Sequence, residues 1–202
     1  MKLIKHFLVA FTLIAGTGYF VSCSNDNMAG DNTAKNNQDP KAVAEEHNDA
    51  KFASSNSERD AQFVVDAADI NLAEARLGKL ASTQGMMKEV RDLGEMMNRD
   101  HQKAYDDLSA MAKKKNISVA SEVGDKSLKK YNDLADMKGK DFDKMFSDEM
   151  VSGHKDAIEK FEKASKESAD PDIQTWAANM LPSLRMHLDH AMACQEKIKS
   201  MK

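Results

Sequence analysis

Four long segments of this chain carry apolar residues at alternating spacings of three and four, a period that commits them to helices packed side by side. The first stripe reads Phe63, Ala67, Ile70, Glu74, Leu77 and Ala81, and the second Val90, Leu93, Met97, His101, Ala104, Leu108 and Met111. The third is Phe142, Phe146, Met150, His154, Ile158 and Phe161; the fourth is Ile173, Ala177, Met180, Leu184, His187, Ala191 and Cys194. Three prolines and nine glycines in 202 residues leave room for long helices, and no alternating apolar pattern suggests a strand. The many methionines suit core positions, because their flexible thioethers fill irregular gaps between helices.

Local signals place the helix ends. Ser57-Glu58-Arg59-Asp60 offers a capping-box-like start, and the first helix is predicted over 57–83, with a turn at Gln84-Gly85. The second fades in Lys113-Lys114-Lys115-Asn116, where cations suit a helix C-terminus. A longer connection covers 117–140, with a small helix over 126–137, and the third long helix runs over 141–166. Asp170-Pro171-Asp172 is a strong N-terminal signal for the fourth, and Pro182 is expected to kink that helix by leaving the Ala178 carbonyl without its donor. Two short-turn hairpins joined by a long connection predict an all-α fold, a ferritin-like four-helix bundle with a long crossover between helices two and three, spanning 57–202. Met97-x3-His101-x2-Ala104-x3-Leu108 echoes Met150-x3-His154-x2-Ala157-x3-Phe161 at an offset of 53. Either duplication or the shared need for an apolar face accounts for that echo.

The first 22 residues read as a signal peptide: Lys2 and Lys5, then an apolar run over 7–20 too short for a comfortable membrane span. Phe20-Val21-Ser22 before Cys23 resembles a bacterial lipobox, although Phe20 stands where an aliphatic residue is usual. Cys23 is thus the expected lipid-attachment residue; an ordinary signal peptide or an uncleaved anchor is the alternative. Ser24 after it leans towards the outer membrane, placing the domain in the periplasm or at the cell surface. Residues 23–56 are rich in Asn, Asp and Ser and read as a flexible tether, with a short helix allowed over 41–51. Removing Lys2 and Lys5 leaves 27 of 29 basic residues against 33 acids, a mature charge of about −6. No basic stripe interleaves with aromatics, so nucleic acid is not an expected partner. With Cys23 lipidated, Cys194 is a single thiol, and its stripe position suits a buried apolar residue. Trp176, near the start of the fourth helix, is expected to cap the core.

Each long helix interrupts its stripe with one polar residue: Glu74, His101, His154 and His187. Counted from the turns, they stand roughly 12 to 18 residues along their helices; at about 1.5 Å per residue all four reach one level of the interior. Two readings fit. In one, the cluster is structural, with Glu74 paired to a histidine. In the other, three imidazoles and a carboxylate bind a single copper, iron or zinc ion, with Met97 and Met150 as soft ligands suited to reduced copper. A di-iron site needs a Glu-x-x-His from each of two helices, and Asn98, Val151 and Leu184 stand where those carboxylates would be. Haem has no C-x-x-C-H attachment sequence here. Asp100 and Asp189 either orient rings or face solvent. No catalytic residues are assigned.

The string Phe63-Val64-x2-Ala67-Ala68-x4-Ala73-Glu74-x2-Leu77-Gly78-x-Leu80-Ala81 resembles the opening of the bacterial domain-of-unknown-function family 4142. Asp100-His101, Phe142-Asp143 leading to Met150-Val151-x2-His154, and Leu181-Pro182-x-Leu184-x2-His187-Leu188 extend the likeness over 61–195. The resemblance implies an exported, ferritin-like outer-membrane protein and no established activity. Gly153 before His154 and the doubled Met86-Met87 and Met96-Met97 stand apart from it. The expected function is a non-enzymatic, lipid-anchored envelope protein with a binding or envelope-stress role. A periplasmic metal-binding protein is the alternative, and a mononuclear metal oxidoreductase a third. The membrane, through the N-terminal lipid, is the expected partner.

Overall fold

The computed structural model describes residues 38–201, so the signal segment and Cys23 lie outside the described residues. Six helices and no strand occur among the described residues: α1 Pro40–Asp49, α2 Ser55–Gln84, α3 Lys88–Lys114, α4 Asp125–Ala135, α5 Gly139–Glu167 and α6 Pro171–Ser200. The chain is all-α. α2 starts earlier than expected because Ser54, not Ser57, is the N-cap, its hydroxyl accepting from the Ser57 N–H. The start of α6 matches its signal, with Asp170 accepting from the N–H groups of Asp172 and Ile173 and Pro171 in the first position. α6 runs as a single helix through Pro182.

The segment read as a tether is in part folded. Asp39 caps α1 and also accepts from the Asp125 N–H, and Ala44 and Asn48 are buried. The Asn48 side chain pairs with the Ser118 backbone on both sides, Nδ2 donating to O and Oδ1 accepting from N, each at 2.8 Å. Polar side chains that composition assigns to water here close backbone groups of the α3–α4 connection. The folded part therefore begins before Pro40 rather than near Ser57.

Two apolar clusters organise the core. One joins Leu77, Ala81, Leu93 and Met97 to Phe142, Phe146, Ala191 and Ile198. The other joins Val64, Ala68 and Leu108 to Ala157, Phe161, Ile173 and Leu184. α2 and α6 run from the second cluster to the first, whereas α3 and α5 run from the first to the second. Each hairpin is thus antiparallel, while α3 and α5, on either side of the long connection, point the same way. Glu74, His101, His154 and His187 fall between the clusters on all four helices. α2 and α3 approach most closely at Gly78 and Gly94, where an added Cβ would lie within 2.7 Å of the facing backbone.

The two hairpins fasten each other's turns. Asp143 of α5 accepts from the Met86 and Met87 N–H groups in the α2–α3 turn, at 2.9 and 2.8 Å. Asp60 of α2 accepts from the Ser168 hydroxyl and the N–H groups of Ala169 and Asp170 in the α5–α6 turn. Both aspartates are buried. Asp60 and Asp143, the C-caps Gly85 and Ser168, and the helix starts Lys88 and Pro171 are each 83 positions apart. The two C-caps share nearly the same backbone angles and bond the carbonyls of Ala81 and Ala164. The repeated unit is therefore the hairpin, α2–α3 against α5–α6. The offset of 53 instead pairs α3 with α5, and reflects only their common apolar face.

Candidate metal centre

Glu74, His101, His154 and His187 are buried to 6, 1, 0 and 1 % exposure, on α2, α3, α5 and α6 respectively. Burial at helix midpoints, between two apolar clusters, denies them water and holds them on packed backbone. One nitrogen from each histidine lies within 4.8 Å of the other two. His154 Nε2 stands 3.4 Å from His187 Nδ1 and 3.6 Å from Glu74 Oε2, and His101 Nε2 stands 2.9 Å from Glu74 Oε2. The four residues that the sequence placed at one level do meet there.

Their outward bonds fix where the protons sit. Asn71 donates its Nδ2 to the Ala67 carbonyl, so its Oδ1 faces His101 Nδ1 at 2.9 Å and must accept. His154 Nδ1 donates to the Met150 carbonyl at 2.9 Å. His187 Nε2 donates to Asp100 Oδ2 at 3.1 Å, with the Ser183 hydroxyl at 3.5 Å. Each neutral ring therefore holds its proton on the outer nitrogen and turns a lone pair inward: Nε2 of His101, Nε2 of His154 and Nδ1 of His187. Three lone pairs then face one another and a carboxylate oxygen. His101 Nε2 and Glu74 Oε2 form a buried ion-pair contact, and neither atom has a hydrogen-bond partner elsewhere.

Electrostatics keep two of the rings, His154 and His187, neutral. Burial, reinforced by the neighbouring His101, lowers His187 to about 4 against the opposing pull of Asp100. Burial also lowers His154, with Glu74 opposing and His101 assisting. Burial pushes the Glu74 carboxyl up, but the surrounding imidazoles, charged in the acid range where Glu74 titrates, outweigh it and hold it at about 2. At neutral pH the cluster is an ionised carboxylate facing the neutral rings of His154 and His187. A tetrahedral ion with bonds of about 2.0–2.1 Å sets its donors about 3.3 Å apart, against the 2.9, 3.4 and 3.6 Å above and a spread of up to 4.8 Å among the three histidine nitrogens. The outer acceptors are the kind that orient metal-bound histidines.

The other candidates separate cleanly. Met97 and Met150 are buried in the apolar cluster beside the site, and the hydrogen bond Met150 contributes comes from its backbone carbonyl. Asp100 orients His187, not the adjacent His101, and is itself held by Arg99. Asp189 and His190 are exposed. Cys194 is buried, and desolvation raises its thiol to about 11, as suits an apolar filler. Trp176 packs against Phe63 and Phe161 at the far end. Asn71 was missing from the expected site. The signal for it was present: it lies three residues before Glu74 on the same helical face.

Among solved structures, the chain is similar to a crystal structure of a DUF305 fragment from Deinococcus radiodurans, with a TM-score of 0.60 and 12% identity over 69% of this chain and 96% of that one. At that identity the likeness speaks for the helical fold alone. No curated protein matches the chain. The family model described as "Domain of unknown function (DUF4142)" matches residues 32–194, which cover both hairpins and all four converging side chains. On that match the chain belongs to the DUF4142 family.

Proposed function

We propose that the domain is a non-enzymatic metal-binding module that holds one divalent transition-metal ion between Glu74, His101, His154 and His187. The observation that carries this reading is the convergence of three imidazole nitrogens on one carboxylate, where Glu74 Oε2 and His101 Nε2 face each other at 2.9 Å and the outer bonds of His154 and His187 leave their inner nitrogens turned to the same point. A proton shared by His101 and Glu74 would satisfy that pair alone and leave the inner nitrogens of His154 and His187 facing each other; buried polar groups without partners cost about 1–3 kcal/mol each. A cation satisfies all four at once. Three nitrogens and one oxygen suit zinc, copper(II) or iron(II), and the lack of a thioether in the set does not favour reduced copper.

We place the module in the cell envelope, tethered by a lipid on Cys23. Lys2, Lys5, the apolar run and the small residue before Cys23 support that placement, as does the polar composition that follows. The test of metal binding is elemental analysis of the full-length protein, purified without a histidine tag and equilibrated with zinc, copper(II) or iron(II). One ion per chain is expected, and its loss in His101→Ala. No stoichiometric metal with any of the three overturns the reading.

A further inference from the structure

Gly153 sits at the midpoint of α5, where glycine costs about 1 kcal/mol relative to alanine and no positive φ requires it. It stands directly beside the cluster. A Cβ at this position would lie 3.3 Å from Glu74 Oε1, with no other neighbour closer than 4 Å. The space it leaves opens onto a groove of about 260 Å³ between α2, α4 and α5, lined among others by Asp69, Ala73, Glu74, Lys126, Gly153 and Asp156. Glu74 is the most exposed of the four converging residues, and it alone lines this groove. On the opposite side Asp100 stands beyond His187, hydrogen-bonded to the ring and paired with Arg99 at 2.8 Å. A larger groove of about 520 Å³ near Phe63 and Lys163 touches none of the four.

We propose that the groove beside Gly153 is the route by which a hydrated divalent metal ion reaches and leaves the buried histidines, with Glu74 Oε1 its first contact and the missing side chain at 153 its opening. This rests on the metal-binding reading above and adds to it that the ion exchanges with the surroundings. A carboxylate at the mouth attracts the cation and exchanges for its water; the imidazoles behind it complete the shell. Asp69 and Asp156 add carboxylates at the rim; of the four lysines on the same walls, Lys41 and Lys160 are paired to Asp66 and Lys130 to Glu149, with Lys126 the fourth.

Stopped-flow uptake of zinc(II) by the full-length protein, with release followed into excess chelator, tests the route. Gly153→Leu should slow association and release together by about tenfold or more, leaving the equilibrium constant within a few-fold, because a plug changes the barrier and not the end states. Gly153→Ala should fall between it and wild type. Asp156→Lys, a surface change that spares the fold, should slow association several-fold at low salt, and the effect should fade at high salt. Unchanged rates in all three variants, in a wild type that binds zinc, overturn the route and leave the site standing. Faster release with unchanged association in Gly153→Leu also overturns it, since that assigns Gly153 to packing. A wild type that binds no zinc, copper(II) or iron(II) removes both proposals.

Discussion

Replacing Glu74 by glutamine separates a metal site from a buried ion pair, because the two predict opposite balances between metal-free and metal-loaded stability. Glutamine keeps the shape of the side chain and removes the single anion of the cluster. At 100 times its dissociation constant, an ion that binds only the folded state stabilises it by about 2.7 kcal/mol. For a domain of this size that raises the melting temperature by roughly 5–11 °C. Losing the anionic ligand and about a hundredfold in affinity would leave Glu74→Gln near its own dissociation constant, where the gain is only about 0.4 kcal/mol, or roughly 1–2 °C. Metal-free at pH 7.5, the variant should melt within about 1 kcal/mol of wild type, since His154 and His187 are neutral there and the amide, both donor and acceptor, can still hydrogen-bond His101 Nε2. An ion pair behaves otherwise: breaking one in the interior costs about 3–5 kcal/mol whether or not metal is added. Calorimetry or a thermal melt followed by circular dichroism, with and without zinc, reads both quantities. A large metal-free loss in Glu74→Gln, together with no metal response in wild type, would refute the reasoning.

Acid should destabilise the metal-free domain. His187 titrates from 6.5 down to about 4 on folding, so the unfolded chain binds its proton first; stability is complete above pH 6.5, falls through that window and has lost about 3 kcal/mol by pH 4. His154 acts in the same direction, and Glu74 extends the loss from 4.5 towards about 2; denaturant titrations from pH 8 to 4 should show a monotonic decline. Asp143→Asn should cost about 2–3 kcal/mol, because an amide can serve only one of the Met86 and Met87 N–H groups, and Asp60→Asn a similar amount at the other turn. Being far apart and without shared partners, the two losses should add in urea melts of the double variant. Cys23→Ala should move the protein from the membrane fraction to the soluble one, and continued retention in the membrane would count against lipidation.

The converging set was legible because one helical period governs both the core and its interruptions: a polar residue in phase with apolar neighbours must point inward. The same period misled one step. Spacings of three then four from Ala67 lead through Ile70 to Glu74, whereas four then three lead through Asn71; both are helical, and the structure buries Asn71 to 1 % while leaving Ile70 partly exposed. Asp60 and Asp143 escaped for a different reason. A carboxylate on a helix reads as solvated unless its partner is known, and these cap turns 108 to 110 and 56 to 57 residues away. α1 was hidden likewise, since Asn48 finds its partner at Ser118, 70 residues along the chain. Periodicity is local and survives in the sequence; a polar side chain's distant partner does not.

The hairpin repeat decides how many ions such a site can hold. At the offset of 83, Glu74 corresponds to Ala157, His101 to Leu184, His187 to Ala104 and His154 to Asn71, and all eight side chains are buried near mid-height. A dinuclear centre on a two-fold scaffold would repeat its ligands in both halves. Here three of the four counterparts are aliphatic, and the fourth, Asn71, is committed to orienting His101. The scaffold is doubled and the donors are not, so the arrangement suits one ion. That ion would take two ligands from each hairpin, Glu74 and His101 from the first and His154 and His187 from the second. The two halves otherwise meet through apolar contact, the reciprocal Asp60 and Asp143 caps and peripheral polar pairs such as Lys115 with Asp170, Lys160 with Asp66 and His187 with Asp100, so the ion would add direct bonds between them at the centre. Its loss should therefore loosen the hairpins from each other before either hairpin opens, an order that hydrogen exchange would read as earlier loss of protection at the Met86 and Ala169 amides than at mid-helix.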